Sequence, residues 1–280
     1  MKTIKISIAM LALAAITFTA CKKDDSTNPG DEIAITSDLS NKQATTDIMV
    51  EDDNAVLFSI TDEENLSGGK LTGGGQTTNF VCATVSVTPA SGFPKTITLD
   101  FGSGCTNPNT GVTRSGKMIF VLSDSLRLTG STAVLTFDNY FVNGFKREGT
   151  ITWTNVSTPG HRSWTRQVVA GKITAPNGNW WVHNALKTIS QVQGMGTFIP
   201  SDDAFETSGS GTVVNSNNIT RSYTILEALL TKTICHHIVA GRLKVEGPQH
   251  YAIINYGNGA CDNIATISID GGNPFPIQLP

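Results

Sequence analysis

An all-β fold, an antiparallel meander or sandwich-like arrangement of sheets with one N-terminal helix, is predicted by three observations. From Phe80 onward, short runs of Thr, Val, Ile and aromatic residues alternate with turn dipeptides. Residues 133–142, then Asn143-Gly144, then residues 145–153 form the strongest hairpin signal, because Asn-Gly favours the type I′ turn. The composition, 39% hydrophobic and 15% charged with 27 Gly, supplies a core and excludes a coiled coil or a charge-driven disordered chain. The 280 residues carry a net charge of −3, so no basic excess points to nucleic acid.

The N-terminal residues read as a processing signal. Lys2 and Lys5 precede an apolar run over residues 6–18, too short to span a bilayer, which takes about 20 residues. Phe18-Thr19-Ala20-Cys21 follows and resembles a bacterial lipobox. The resemblance implies cleavage before Cys21 and acylation of that cysteine by chains such as palmitate, with the membrane as partner. Two or more chains hold a protein stably at a bilayer. Lys22-Lys23-Asp24-Asp25 looks like a signal for the outer face of the outer membrane, and the periplasmic face is the alternative. Losing Lys2 and Lys5 leaves 18 cationic against 23 acidic residues, which does not favour anionic lipid. The expected order is a signal peptide at 1–20, a lipidated Cys and tether at 21–40, a helix at 41–66 and a β domain at 67–280.

Cys82, Cys105, Cys235 and Cys261 remain, and four cysteines allow three pairings. An exported chain meets an oxidising compartment. In a hairpin the turn lies midway between facing residues. The midpoint of Cys82 and Cys105 falls in Ser91-Gly92-Phe93-Pro94-Lys95, and that of Cys235 and Cys261 falls on Pro248, both turn signals. The expected disulfides are therefore Cys82–Cys105 and Cys235–Cys261. Residues 99–105 resemble residues 254–261, each with an aromatic, a Gly-x-Gly turn and a Cys. This reads as a duplicated hairpin unit, with two similar halves at about 76–160 and 222–280.

The helix is expected from apolar spacing over residues 41–64, with Glu51, Asp52 and Asp53 on a polar face. Residues 118–122, apolar on both faces, suggest a strand covered on both sides. Residues 201–218 read as a polar loop. The alternation of Ile267, Ile269, Phe275, Ile277 and Leu279 around Asp270-Gly271-Gly272 describes a closing hairpin.

Chemical motifs are sparse. His236 and His237 are adjacent and would point apart on a strand, and no paired Cys-x-x-Cys occurs, so no metal site and no cofactor are expected. Ser208-Gly209-Ser210-Gly211 lacks the nucleophile-elbow spacing. Asp202, Asp203 and Glu206 form an acidic cluster best explained as solvated loop charge, although a polysaccharide hydrolase would need such carboxylates. Trp153, Trp164, Trp180 and Trp181 all lie within 29 residues. They are candidates for a glycan platform or for core packing, and consecutive Trp180 and Trp181 cannot both face one core.

The lipobox, the Lys-Lys-Asp-Asp tail, Gly241-Arg242-Leu243-Lys244-Val245, the run from Ile254 to Asn263 and Ile267-Ser268-Ile269-Asp270-Gly271 together resemble predicted outer-membrane lipoproteins of unknown function, of Bacteroidota type. That resemblance implies location and β architecture and carries no catalytic residues. The expected role is a non-catalytic, lipid-anchored envelope protein that binds or scaffolds, with a glycan or an envelope protein as partner. The alternatives are a surface polysaccharide hydrolase and a structural or adhesin module.

Overall fold

A computed structural model describes residues 29–63, 83–108, 111–197 and 200–280. The leader, Cys21 and Cys82 lie outside the described residues. One helix, α1 (Pro29–Glu63), precedes fourteen strands: β1 (Thr84–Thr88), β2 (Lys95–Asp100), β3 (Cys105–Thr106), β4 (Thr113–Leu122), β5 (Thr132–Val142), β6 (Phe145–Asn155), β7 (Ser163–Thr174), β8 (Trp180–Gln193), β9 (Ala204–Asn215), β10 (Thr220–Lys232), β11 (Ala240–Glu246), β12 (Tyr251–Asn258), β13 (Ile264–Ile269) and β14 (Phe275–Gln278). All join one antiparallel sheet in sequence order, except that β3 lies beside β2 as a second partner of β4. The described residues are all-β with one α-helix, and the meander form of the expectation is the one built.

The hairpin at Asn143-Gly144 is as read from the sequence, with φ of 49° and 80° at the two turn residues, both positive as a type I′ turn requires. The closing hairpin pairs β13 with β14 around Asp270 and Gly271, again both at positive φ. The β11–β12 turn spans the predicted Pro248, and the Cys235–Cys261 disulfide joins the segments that flank this hairpin, with Cα atoms 5.4 Å apart. Cys105 is disulfide-bonded, and the expected partner Cys82 lies outside the described residues.

Three expectations are corrected. The helix begins at Pro29, not near residue 41, so residues 29–40 are helix and not tether. Residues 201–218 are not a loop, because β9 occupies most of them. Residues 118–122 are covered on one face only: Met118, Phe120 and Leu122 are wholly buried, and Val121 is exposed.

The larger correction concerns α1. Residues 46 to 51 are consecutively buried. At 100° per residue, six in a row face every direction, so sheet surrounds this part of the helix. α1 bonds to side chains of β4, β6, β7, β8, β10 and β12, which places it inside the curl of the sheet. The curl is helped by register shifts at Gly116, Gly149 and Gly241, where a bulge bends the ladder. The expected acidic solvent face does not exist. The first turns of α1 remain open to solvent at Ile33, Ala34, Asp38 and Asn41, and from Thr45 to Thr61 what stays partly exposed is a narrow stripe, Thr45, Asp52, Ala55, Phe58 and Ser59.

Candidate functional site

The helix carries polar groups where an interior helix would normally be apolar, and the strands answer them. Arg221 reaches Glu32 at 2.9 Å, Lys187 pairs with Asp47, Arg166 with Glu51 at 2.7 Å, Arg114 with Asp52 at 2.6 Å and Arg147 with Asp53 at 2.7 Å. Unpaired charge would be costly here, so each cation has a partner. Asp47 also accepts from Tyr256 Oη at 2.8 Å and Gln43 Nε2 at 2.9 Å. Burial alone would raise the Glu51 carboxyl, but the charge and hydrogen bond of Arg166 outweigh it and hold the group below the usual range. At Asp53 burial wins over Arg147, aided by the neighbouring charge of Asp52, and pushes the carboxyl up to about 6.

Trp153, Trp164 and Trp181 belong to the core, 0%, 4% and 3% exposed. Trp153 Nε1 donates to Asn54 Oδ1 at 2.6 Å, Trp181 Nε1 to Thr46 Oγ1 at 2.8 Å, and Trp164 Nε1 to the Leu126 carbonyl. These three are therefore not glycan platforms. Their apolar area fills the space between sheet and helix, and their N–H groups satisfy buried acceptors. Trp153 and Trp164 share the inner face but are not opposed, since Trp153 pairs with Arg166 and Trp164 with Asn155. Trp180 faces outward and is half-buried, with Lys172 Nζ 5.0 Å over its ring.

Two members of the acidic cluster accept local hydrogen bonds. Thr197 Oγ1 donates to both Asp202 oxygens at 2.9 Å, and Gln191 Nε2 to Asp203 Oδ1 at 2.7 Å. Ser208 and Ser210 lie in β9, not on an elbow. Asp262 accepts from the Ile264 amide in a local turn. Among the described residues no group of three or more His, Cys, Asp or Glu is placed to hold a metal ion.

A site missed by the sequence lies along the exposed stripe of α1. Here a cavity of about 90 Å³ is walled on the helix side by Asp52, Ala55 and Phe58 and on the sheet side by Arg114, Phe205, Thr231 and His236. A second cavity of about 180 Å³ shares Asp52 and His236 and is lined by Val142, His237 and Pro280. Residues of early and late strands thus line the same space over the stripe, a seam between them. One wall is aromatic: Phe58 stacks on Phe205 with ring centroids 5.0 Å apart and 11° between planes. The other is polar, with one Arg114 nitrogen donating to both Asp52 oxygens at 2.7 and 2.6 Å and its Nε to Tyr140 Oη at 3.1 Å. Burial pulls the His236 imidazole below its ordinary pKa, although Asp52 opposes this. The loop carrying His236 is held by the Cys235–Cys261 bond. No single-sequence signal finds this site, because its walls come from residues about 180 positions apart.

Among the described residues no helix is long and apolar enough to cross a membrane. Protein-family models, curated proteins and solved structures were each compared with the chain, and none matches it.

Proposed function

We propose that the chain is a lipid-anchored protein of the cell envelope that binds its ligand without converting it, and that the seam beside the Asp52–Arg114 pair holds that ligand. The observation that carries this is the mixed lining: a stacked aromatic pair together with hydroxyl, amide, imidazole and ion-paired groups. Sites that orient a ligand by a few polar groups on an apolar surface have this make-up. A neutral sugar end group fits it, with its C–H face toward Phe58 and Phe205 and its hydroxyls toward Thr231, His236 and Asp52. The non-catalytic reading is supported by the five helix carboxylates that face the strands, Glu32, Asp47, Glu51, Asp52 and Asp53, each already committed to a cation. The lipid anchor is supported by the run Phe18-Thr19-Ala20-Cys21.

Glycan-array screening followed by calorimetry tests the site. Ala55→Trp fills the seam from the exposed helix stripe without removing an ion pair, and it should weaken binding at least tenfold, whereas Trp180→Ala should leave binding unchanged. Binding that survives Ala55→Trp and is lost with Trp180→Ala would move the site to the outer sheet face. No binding to any glycan removes the sugar version.

A further inference from the structure

We infer that the end of the sheet nearest the N-terminus of α1 lies against the membrane surface, with Trp180, Tyr251 and Phe275 as its interfacial contacts. The inference rests on the proposed lipidation of Cys21. Seven residues lie between Cys21 and Pro29, and the eight Cα-to-Cα steps from one to the other span at most about 26–29 Å. An acylated Cys21 therefore keeps the first turn of α1 close to the bilayer.

The first turn of α1 identifies the end concerned. Glu32 pairs with Arg221, which follows the β9–β10 turn, and its Oε2 lies 3.6 Å from His250 Nε2 in the β11–β12 turn. In an antiparallel meander alternate turns share one edge. The β7–β8, β9–β10, β11–β12 and β13–β14 turns are consequently neighbours at this end. The far end of α1 sits at the opposite edge, where Phe58 meets Trp164 and Phe205 near the starts of β7 and β9.

Three aromatics flank the turns on the near side. Trp180 opens β8 beside the β7–β8 turn, Tyr251 opens β12, and Phe275 opens β14 and is 40% exposed. Trp180 and Tyr251 face outward, since their neighbours Trp181 and Ala252 are buried inside. Each of the two carries a lysine over its ring: Lys172 on Trp180 at 5.0 Å and Lys244 on Tyr251 at 4.7 Å. Amphipathic aromatic rings settle at the headgroup level of bilayers, and lysine stems extend along them toward water. The occupant is thus a lipid surface held at short range, not a soluble protein.

The test uses mature acylated protein in phosphatidylcholine–phosphatidylethanolamine vesicles whose acyl chains are brominated close to the headgroup. Bromine should quench part of the tryptophan emission, and that part should be absent from Trp180→Phe, because the other three tryptophans are interior. A second variant, Leu128→Trp in the Trp180→Phe background, places a tryptophan on the exposed far edge and should stay unquenched. Equal quenching with and without Trp180, quenching at position 128, or no quenching in protein whose Cys21 is shown by mass spectrometry to be acylated each overturns the orientation. Protein from the native membrane that lacks fatty acid on Cys21 overturns the anchor itself, and the orientation with it.

Discussion

Arg166 of β7 and Lys187 of β8 stand directly opposite one another on the inner face of the sheet, and both are buried. Like charges in that position repel. The helix resolves the conflict with Glu51 and Asp47, one turn apart, each taking one of the two cations. Sheet and helix are therefore registered by charge as well as by apolar packing. Removing Asp47 leaves Lys187 and Tyr256 without their acceptor. Asp47→Leu should cost about 3–5 kcal/mol in urea denaturation, whereas Asp47→Leu combined with Lys187→Met should recover a measurable part of that loss. A double variant less stable than the single would show that the pair is not the unit of stabilisation.

His183 is 1% exposed and lies against the backbone of Gly171. Burial first, then the charges of Arg147 and Lys187, pulls its pKa down from 6.5 to about 3. The unfolded chain binds a proton below pH 6.5 that the folded chain refuses until about pH 3. Stability should therefore fall as pH drops through that window, by up to about 1.4 kcal/mol per pH unit from this group. Asp53 acts in the opposite sense, because its raised pKa favours the fold at low pH and loses that contribution as pH rises from 3.8 to about 6. The difference between wild type and His183→Leu isolates the histidine, and stability profiles of equal slope below pH 6 would refute its role.

Gly149 has φ of +108°, and a Cβ there would lie 2.5 Å from the Ala170 carbonyl oxygen on the neighbouring strand. Two penalties combine, backbone strain and overlap with a main chain that cannot move aside. Gly149→Ala should cost about 3 kcal/mol or more in thermal melts. Gly178→Ala is the control: its φ is +85° but nothing lies within 4 Å of the new Cβ. It should cost only about 1–2 kcal/mol.

Cys235 lines the seam cavity and is bonded to Cys261, 26 residues on. Closing a loop of this size stabilises by about 3 kcal/mol in the chain-entropy model. Replacing both cysteines by serine should lower stability by about that amount, and it should weaken any ligand of the seam by loosening the His236 loop. Unchanged affinity in the doubly substituted protein would separate the loop from the site.

The strands whose signals are local were legible in the sequence. Asn143-Gly144 needs only its own backbone preference to make a hairpin, and Pro248 marks its turn in the same way. β9 was not legible, because its inner face carries Gly211 where an apolar residue would have shown the alternation. A Cβ at Gly211 would meet Tyr223 Oη at 2.5 Å, so the glycine makes room for that ring. The acids of α1 misled for a related reason. Helical spacing cannot distinguish water from a facing guanidinium, and both satisfy a carboxylate. The tryptophans could be assigned to core or surface only once the side of each strand was known.

The sequence by itself determined strand-type segments, their turns and the presence of a helix, since these follow from backbone preferences acting over a few residues. It also located the cysteine at which a lipid anchor is proposed. Only the tertiary structure decided that the sheet curls around the helix, that Glu51, Asp52 and Asp53 each meet an arginine of a strand, and that Phe58 and Phe205 stack beside the seam. Those outcomes depend on pairings between residues 62 or more positions apart, for which the energy is Coulombic and hydrophobic contact in space and leaves no periodicity along the chain.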